Sequence, residues 1–363
     1  MLTTILIFAL ILFILVIVHE AGHFVAAKLM GIRVDEFGFG LPPRIFGKKF
    51  GETIYSLNWL PIGGFVKLYG EDEQHPEYVK SQKNRAFFSK KPWQRAIVLI
   101  AGVSMNFVLA WLIFSYLFTV GLDLPTGEVK VGEVLPSSPA EEIGIQVEDV
   151  VRKIIVTEGG VQKTVEITIP DTLVQTIDAH RGESVTVVVE RDSQLVELPT
   201  TLRSREESEQ GLGISFSPVI ERQQYPWYQS FSVAFFFILS LIQQLFVGIS
   251  GLIGRALTFH NVSKEVSGPL GIGVLVNDTK QYGIDALLHL TALLSVNLAV
   301  INIAPFPALD GGRLLFVVIE TLTGKKVNQR WEQLLHQAGM LILLFLLFII
   351  SINDVYKFIT GQI

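Results

Sequence analysis

Four stretches of this chain are apolar over the roughly 20 residues that the hydrocarbon core of a bilayer demands of a helix, and they limit what the chain can fold into. They occupy residues 1–29, 96–121, 286–313 and 334–352. Of 363 residues, 50% are hydrophobic and 17% charged, with a mean hydropathy of +0.46, which argues against a purely soluble enzyme. The first run is expected to stay in the chain rather than leave as a signal peptide: no Lys or Arg precedes it and no small-residue cleavage site follows. A further helical segment, 223–285, begins with a charge-free run to Gly254. Tyr225, Pro226, Trp227, Gln243, Gln244 and several Gly and Ser suit that run better to an interfacial or re-entrant position than to an ordinary span.

Charge orients the spans, because Lys and Arg accumulate in cytoplasmic loops. Region 30–95 is rich in Lys and Arg, from Arg33 to Arg95, and is expected inside as a cytoplasmic or re-entrant β-hairpin region. Between Leu122 and Arg222 there are 19 acids against nine bases, so this segment is expected outside. Arg313, Lys325, Lys326 and Arg330 bring the end of the third span back inside. A full crossing by 223–285 would reverse that third span, so the segment is expected to lie along the membrane or to dip and return. The formal net charge of −5 excludes a generally basic nucleic-acid binder.

The chain has no cysteine, so any metal must be held by His, Asp or Glu. Inside the first apolar run stands His19-Glu20-Ala21-Gly22-His23. On a helix, positions four apart share a face, so both imidazoles can bind one zinc while Glu20 serves as acid/base. Carrying a Glu to membrane depth costs about 2.5–3.5 kcal/mol on insertion scales, which marks the group as functional. A catalytic zinc takes three protein ligands and leaves one position open. The third ligand is expected at the same depth. There, Pro305 and Pro307 break the third span, and Asp310 follows directly. His289 lies 21 residues earlier, about 32 Å along an ideal helix, near the opposite face. His75, His180, Glu320 and His336 are less well placed than Asp310.

His19 to Phe24, paired with Asn302-x-x-Pro305-x-Pro307-x-Leu309-Asp310-Gly311, resembles the site-2 protease family (M50) of intramembrane zinc metalloproteases in its bacterial RseP-type branch. The likeness extends through Gly38-Phe39-Gly40, Leu60 to Lys67 and Ser267-Gly268-Pro269-Leu270. It implies zinc (Zn2+) held by His19, His23 and Asp310, Glu20 as catalytic acid/base, and Asn302 as a polar group near substrate. It also implies single-pass transmembrane protein substrates, an upstream site-1-type protease acting first, contact with membrane lipids, and residence in a bacterial inner membrane. Tyr55 to Tyr69 reads as two short strands around Leu60-Pro61-Ile62-Gly63-Gly64, like the family's re-entrant β-loop, and Gly63, Gly64 and Phe65 are candidate substrate-binding residues. Ser138 to Val151, within 127–218, resembles a PDZ pattern in which Glu148 stands where Gly is usual. A size filter over outside substrate domains would need no peptide ligand there.

The expected architecture is thus a multi-pass α-helical membrane protein of four transmembrane helices, with a re-entrant β-hairpin and one extracytoplasmic PDZ-like α+β domain. A zinc or proton transporter would also place His and Asp in the membrane, but with ligands at successive depths; this sequence shows one cluster. An inactive scaffold would have no use for Glu20.

Overall fold

The computed structural model describes residues 2–71, 80–158, 161–204, 206, 210–257, 268–325, 327 and 329–360. In chain order the elements are α1 (Leu2–Leu29), β1 (Val34–Phe50), β2 (Thr53–Leu68), α2 (Pro92–Val120), β3 (Leu122–Val134), α3 (Pro139–Glu142), β4 (Val150–Glu158), β5 (Val161–Glu166), α4 (Pro170–Ala179), β6 (Ser184–Arg191), β7 (Gln194–Thr201), β8 (Ile214–Gln223), α5 (Trp227–Leu257), α6 (Pro269–Thr279), α7 (Ile284–Ile303), α8 (Asp310–Thr323) and α9 (Gln329–Ile359). The chain forms two compact units, one of residues 1–120 with 225–363 and one of residues 121–224.

In the first unit α1 and α2 run antiparallel and almost touch. A Cβ on Gly22 would lie 2.4 Å from the carbonyl oxygen of Ala101, and one on Gly102 would lie 2.3 Å from Nε2 of His23. Glycine at both positions lets the backbones approach as side-chain-bearing residues could not. Ile11 and Leu15 of α1 bury themselves against Leu109 of α2, Val276 of α6, and Leu287, Leu290, Leu294 and Leu298 of α7. At the other end of α1, the turn between β1 and β2 is fastened by Glu52. Its carboxylate accepts from Lys28 (2.6 Å) and Arg85 (2.8 Å), and the Lys28 hydrogen bond, followed by that from Arg85, holds it below the ordinary carboxylate value.

Five helices are long and apolar enough to cross a membrane: Leu2–Leu29, Pro92–Val120, Trp227–Gly251, Ile284–Ile303 and Arg330–Ile359. This differs from the expected four in that 227–251, expected to be interfacial or re-entrant, forms a continuous helix long and apolar enough to cross. Its start is tied to the far end of α2, where Tyr225 N–H donates to Phe118 (2.8 Å). The described chain resumes at Gly268. Asp354 of α9, fully buried, accepts the N–H groups of Gly268 and Gly271 (both 3.0 Å) and so caps α6. Thr4 of α1 meets Asn277 (3.0 Å) and Lys280 (2.6 Å) where α6 ends. Because α1 and α2 are antiparallel, Thr4 and Phe118 mark the same end of the unit. Tyr225, just before α5, and Asn277, near the end of α6, therefore lie at one end of the unit. Ser267 lies outside the described residues.

The third span is also shorter than expected: α7 stops at Ile303, and Asp310 opens a separate helix, α8. Pro305 and Pro307 cannot donate backbone hydrogen bonds, so the chain turns between the two helices.

β1 and β2 are each bent, and the bend changes the expected hairpin. Phe37 pairs with Tyr55 on one side and Val66 on the other, while Tyr55 also pairs with Lys48. The result is four short strands in the order 44–50, 53–58, 36–39, 64–68, the two outer pairs antiparallel and the central pair in parallel register. The strands on either side of Leu60-Pro61-Ile62-Gly63-Gly64 do not pair with each other; residues 36–39 lie between them.

In the second unit the antiparallel strand order is β7-β6-β4-β3-β8, with β5 on β4. Val129, Val131, Ile154, Leu173, Val187 and Leu212 are among its buried core. Ser138 caps α3 by accepting from Glu141 N–H (3.3 Å), and Asp149, 2% exposed, takes a two-pronged contact from Arg191 (2.8 and 2.6 Å). Glu148 stands at φ +80°, the left-handed conformation that the glycine usual there would adopt freely.

Candidate metal centre

Successive turns of α1 carry His19 and His23 to the face that meets α2, and the break after α7 brings Asp310 to the same point. Asp310 Oδ2 is 3.1 Å from Nε2 of both histidines, and the two Nε2 atoms are 3.2 Å apart. Both histidines are 8% exposed. Among the described residues this is the one group of three or more His, Cys, Asp or Glu residues whose ligating atoms converge. Two imidazoles and one carboxylate suit zinc. Ligand bonds of about 2.0–2.2 Å in a tetrahedral set put donors roughly 3.3 Å apart, close to the spacing here.

Other contacts orient the ring atoms that face away from this point. His23 Nδ1 donates to the carbonyl oxygen of Val98 (2.8 Å) and His19 Nδ1 lies 3.3 Å from the amide of Asn106, both on α2. The loop bearing Asp310 is compact. Phe306 N–H bonds Ala304 (2.7 Å), Leu309 N–H bonds Phe306 (3.2 Å), and Ala308 adopts φ +80°. A Cβ on Gly311 would lie 2.2 Å from the carbonyl oxygen of Ile303, and one on Gly312 would lie 2.3 Å from that of Phe306, so the Gly pair lets α8 start directly beneath the turn. His336 of α9 sits behind the loop. It is 3.3 Å from Ala308 N and accepts from Arg313 Nε (2.9 Å), while Arg313 also pairs with Glu71.

Glu20 packs against Gly64 of the small sheet. A Cβ on Gly64 would lie 2.9 Å from Glu20 Cγ and 2.7 Å from Val16 Cγ1, so glycine lets strand 64–68 run directly alongside α1. Gly63 adopts φ +77° with open space around it. Phe65 packs within the sheet instead, its ring covering Gly38 on the neighbouring strand, 2.5 Å from where a Cβ would stand. Asn302 lies half-buried in the last turn of α7.

The remaining candidates lie elsewhere. His289 packs edge-on against Phe114 at 5.7 Å within the helical unit, Glu320 pairs with Arg95, and His180 lies in the second unit beside Glu183 (2.8 Å). His75 lies outside the described residues. The residues that sequence reading missed are Val98, Gly102 and Asn106. Their spacing of four on α2 was the available signal, but it acquires meaning only once α2 is known to pack on the His face of α1.

An apolar helical unit with a buried His-His-Asp cluster beside a Glu is that of a membrane metallopeptidase. The profile of Peptidase family M50 matches residues 7–346, and the chain belongs to that family, the site-2 proteases. A Clostridium perfringens protein named as a zinc metalloprotease by prediction is 35% identical over 354 residues, covering 96% of this chain and 98% of that protein. The zinc metalloproteases RasP of Oceanobacillus iheyensis and of Geobacillus kaustophilus are each 28% identical, covering 98% and 95% of this chain and 99% and 96% of their own length. The chain is thus a zinc metalloendopeptidase of RseP type.

Proposed function

We propose that His19, His23 and Asp310 hold the zinc, that Glu20 is the catalytic acid/base, and that the chain hydrolyses peptide bonds within or beside transmembrane segments of single-pass proteins. The observation that supports this most directly is the convergence of three polar side-chain atoms within 3.1–3.2 Å, with the neighbouring Glu20 packed against Gly64. Bound zinc supplies Lewis acidity, polarising a peptide carbonyl and acidifying water. Glu20 accepts the proton of the attacking water and delivers it to the leaving amine.

A helical substrate hides its amides in internal hydrogen bonds, so it must become extended to be cut. Strand 64–68 pairs on one side only among the described residues, and its Gly64 packs against Glu20. An extended substrate adds to that edge as a further strand, and Gly63 and Gly64 leave room for its side chains. Asn302 is assigned to substrate contact on its place in the family motif. Charge bias supports an inner-membrane orientation with the 121–224 unit outside, where a PDZ-like fold would pass substrates already shortened by an upstream site-1-type protease.

The deciding experiment uses the full chain reconstituted in lipid with a single-span test peptide. Glu20→Gln should retain zinc and lose cleavage by about 10²–10⁴-fold, the usual contribution of a general acid/base. His19→Ala, His23→Ala and Asp310→Ala should lose both zinc and cleavage. Undiminished cleavage by Glu20→Gln would remove Glu20 from the chemistry.

A further inference from the structure

We propose that Asn106 is a positioning residue for the metal centre: its amide oxygen accepts the Nδ1–H of His19 and holds that ring in the tautomer that offers Nε2 to zinc. The proposal rests on the ligand set proposed above.

Val98, Gly102 and Asn106 are spaced four apart on α2 and so form one face, opposite His23 and His19, which are spaced four apart on α1. The two antiparallel faces match position by position. Val98 offers its carbonyl oxygen to His23 Nδ1 at 2.8 Å. A carbonyl only accepts, so the proton of a neutral His23 sits on Nδ1 and its Nε2 is free for metal. Gly102 makes room for the ring. His19, one turn away, needs an acceptor of the same kind, and the group beside its Nδ1 at 3.3 Å is the Asn106 amide.

The two ends of a carboxamide have the same shape. A half-turn of the Asn106 amide exchanges donor for acceptor without altering the packing. A His19 ring that binds metal through Nε2 carries its proton on Nδ1, and an amide N–H facing it would set donor against donor. The oxygen must therefore face the ring. The turn breaks no existing hydrogen bond of Oδ1, which has no other partner, and Ser295 bonds the Asn106 backbone oxygen rather than the amide (2.9 Å). Asn106 is fully buried, with the imidazole as the polar partner of its amide. An apolar residue would fill that space with no polar group to desolvate, so helix packing does not account for the amide.

The test measures zinc affinity by chelator competition on the full chain, together with unfolding of the zinc-free form. Asn106→Leu should bind zinc about 10–100-fold more weakly, the usual effect of losing a group that orients a metal ligand. Its zinc-free unfolding temperature should be unchanged or higher. Asn106→Asp, which can only accept, should hold zinc at least as well as the native chain. In nitrogen-15 histidine spectra of the zinc form, the hydrogen-bonded Nδ1–H of His19 should be present in the native and Asp chains and displaced in the Leu chain. Native-like zinc affinity in Asn106→Leu, or loss of that Nδ1–H signal in Asn106→Asp, overturns the proposal. Should the Leu chain fail to fold, Asn106→Ala takes its place in the same comparison. His19→Ala separates the two readings: zinc retained there strikes the ligand set, whereas zinc lost there and tightly held in Asn106→Leu strikes only Asn106.

Discussion

Gly102 shows how little space the metal centre leaves for its neighbours. The atom that a Gly102→Ala substitution adds falls 2.3 Å from Nε2 of His23, so ring or helix must move. We predict a loss of zinc affinity of at least about tenfold together with an overpacking cost of about 1–3 kcal/mol, read by metal analysis and thermal unfolding of the purified chain. A normal zinc content in that variant would show that the ring has room the structure denies it. Much of this centre was legible in the sequence. The His19-Glu20-His23 spacing fixes its own geometry on any helix, and a proline break at matching depth pointed to Asp310. The packing of Phe65 was not legible, because its partner, Gly38, is a cross-strand neighbour that only the bent sheet creates. Glu148 shows the converse: the turn expected of glycine forms although the residue there is not glycine.

Among elements, the apolar helices were the most legible and the small sheet the least. Hydropathy located α1, α2, α7 and α9, but misplaced the end of α7 because Asp310 to Arg313, read as its tail, belongs to a new helix. No local pattern could reveal the sheet order, since 36–39 separates strands nearer to each other in sequence. The α6 segment depends on a contact equally remote, the buried Asp354 carboxylate 86 residues after Gly268. Asp354→Ala removes the cap and leaves the Gly268 and Gly271 N–H groups without it. We expect a loss of about 2 kcal/mol, as for a strong N-cap, with zinc still bound. Denaturant unfolding in detergent measures it, and a change below about 0.5 kcal/mol would mean that water replaces the carboxylate without penalty.

For the whole molecule, the absence of native cysteine makes orientation directly measurable. Single cysteines at Lys48 and Lys325 should react with a membrane-impermeant reagent only from the cytoplasmic side, and one at Ser193 only from the outside. Labelling of Ser193 from the cytoplasm would invert the arrangement drawn from loop charge. That arrangement does not depend on how deeply α5 enters the bilayer. Tyr225 and Asn277 both stand at the Phe118 end of α2, so α7 sets out from the end at which α5 begins, whatever detour joins them, like a side loop on a main road. Such a segment can lengthen, shorten or change its depth over evolutionary time while α7 still descends in the same direction and delivers Asp310 to the histidines.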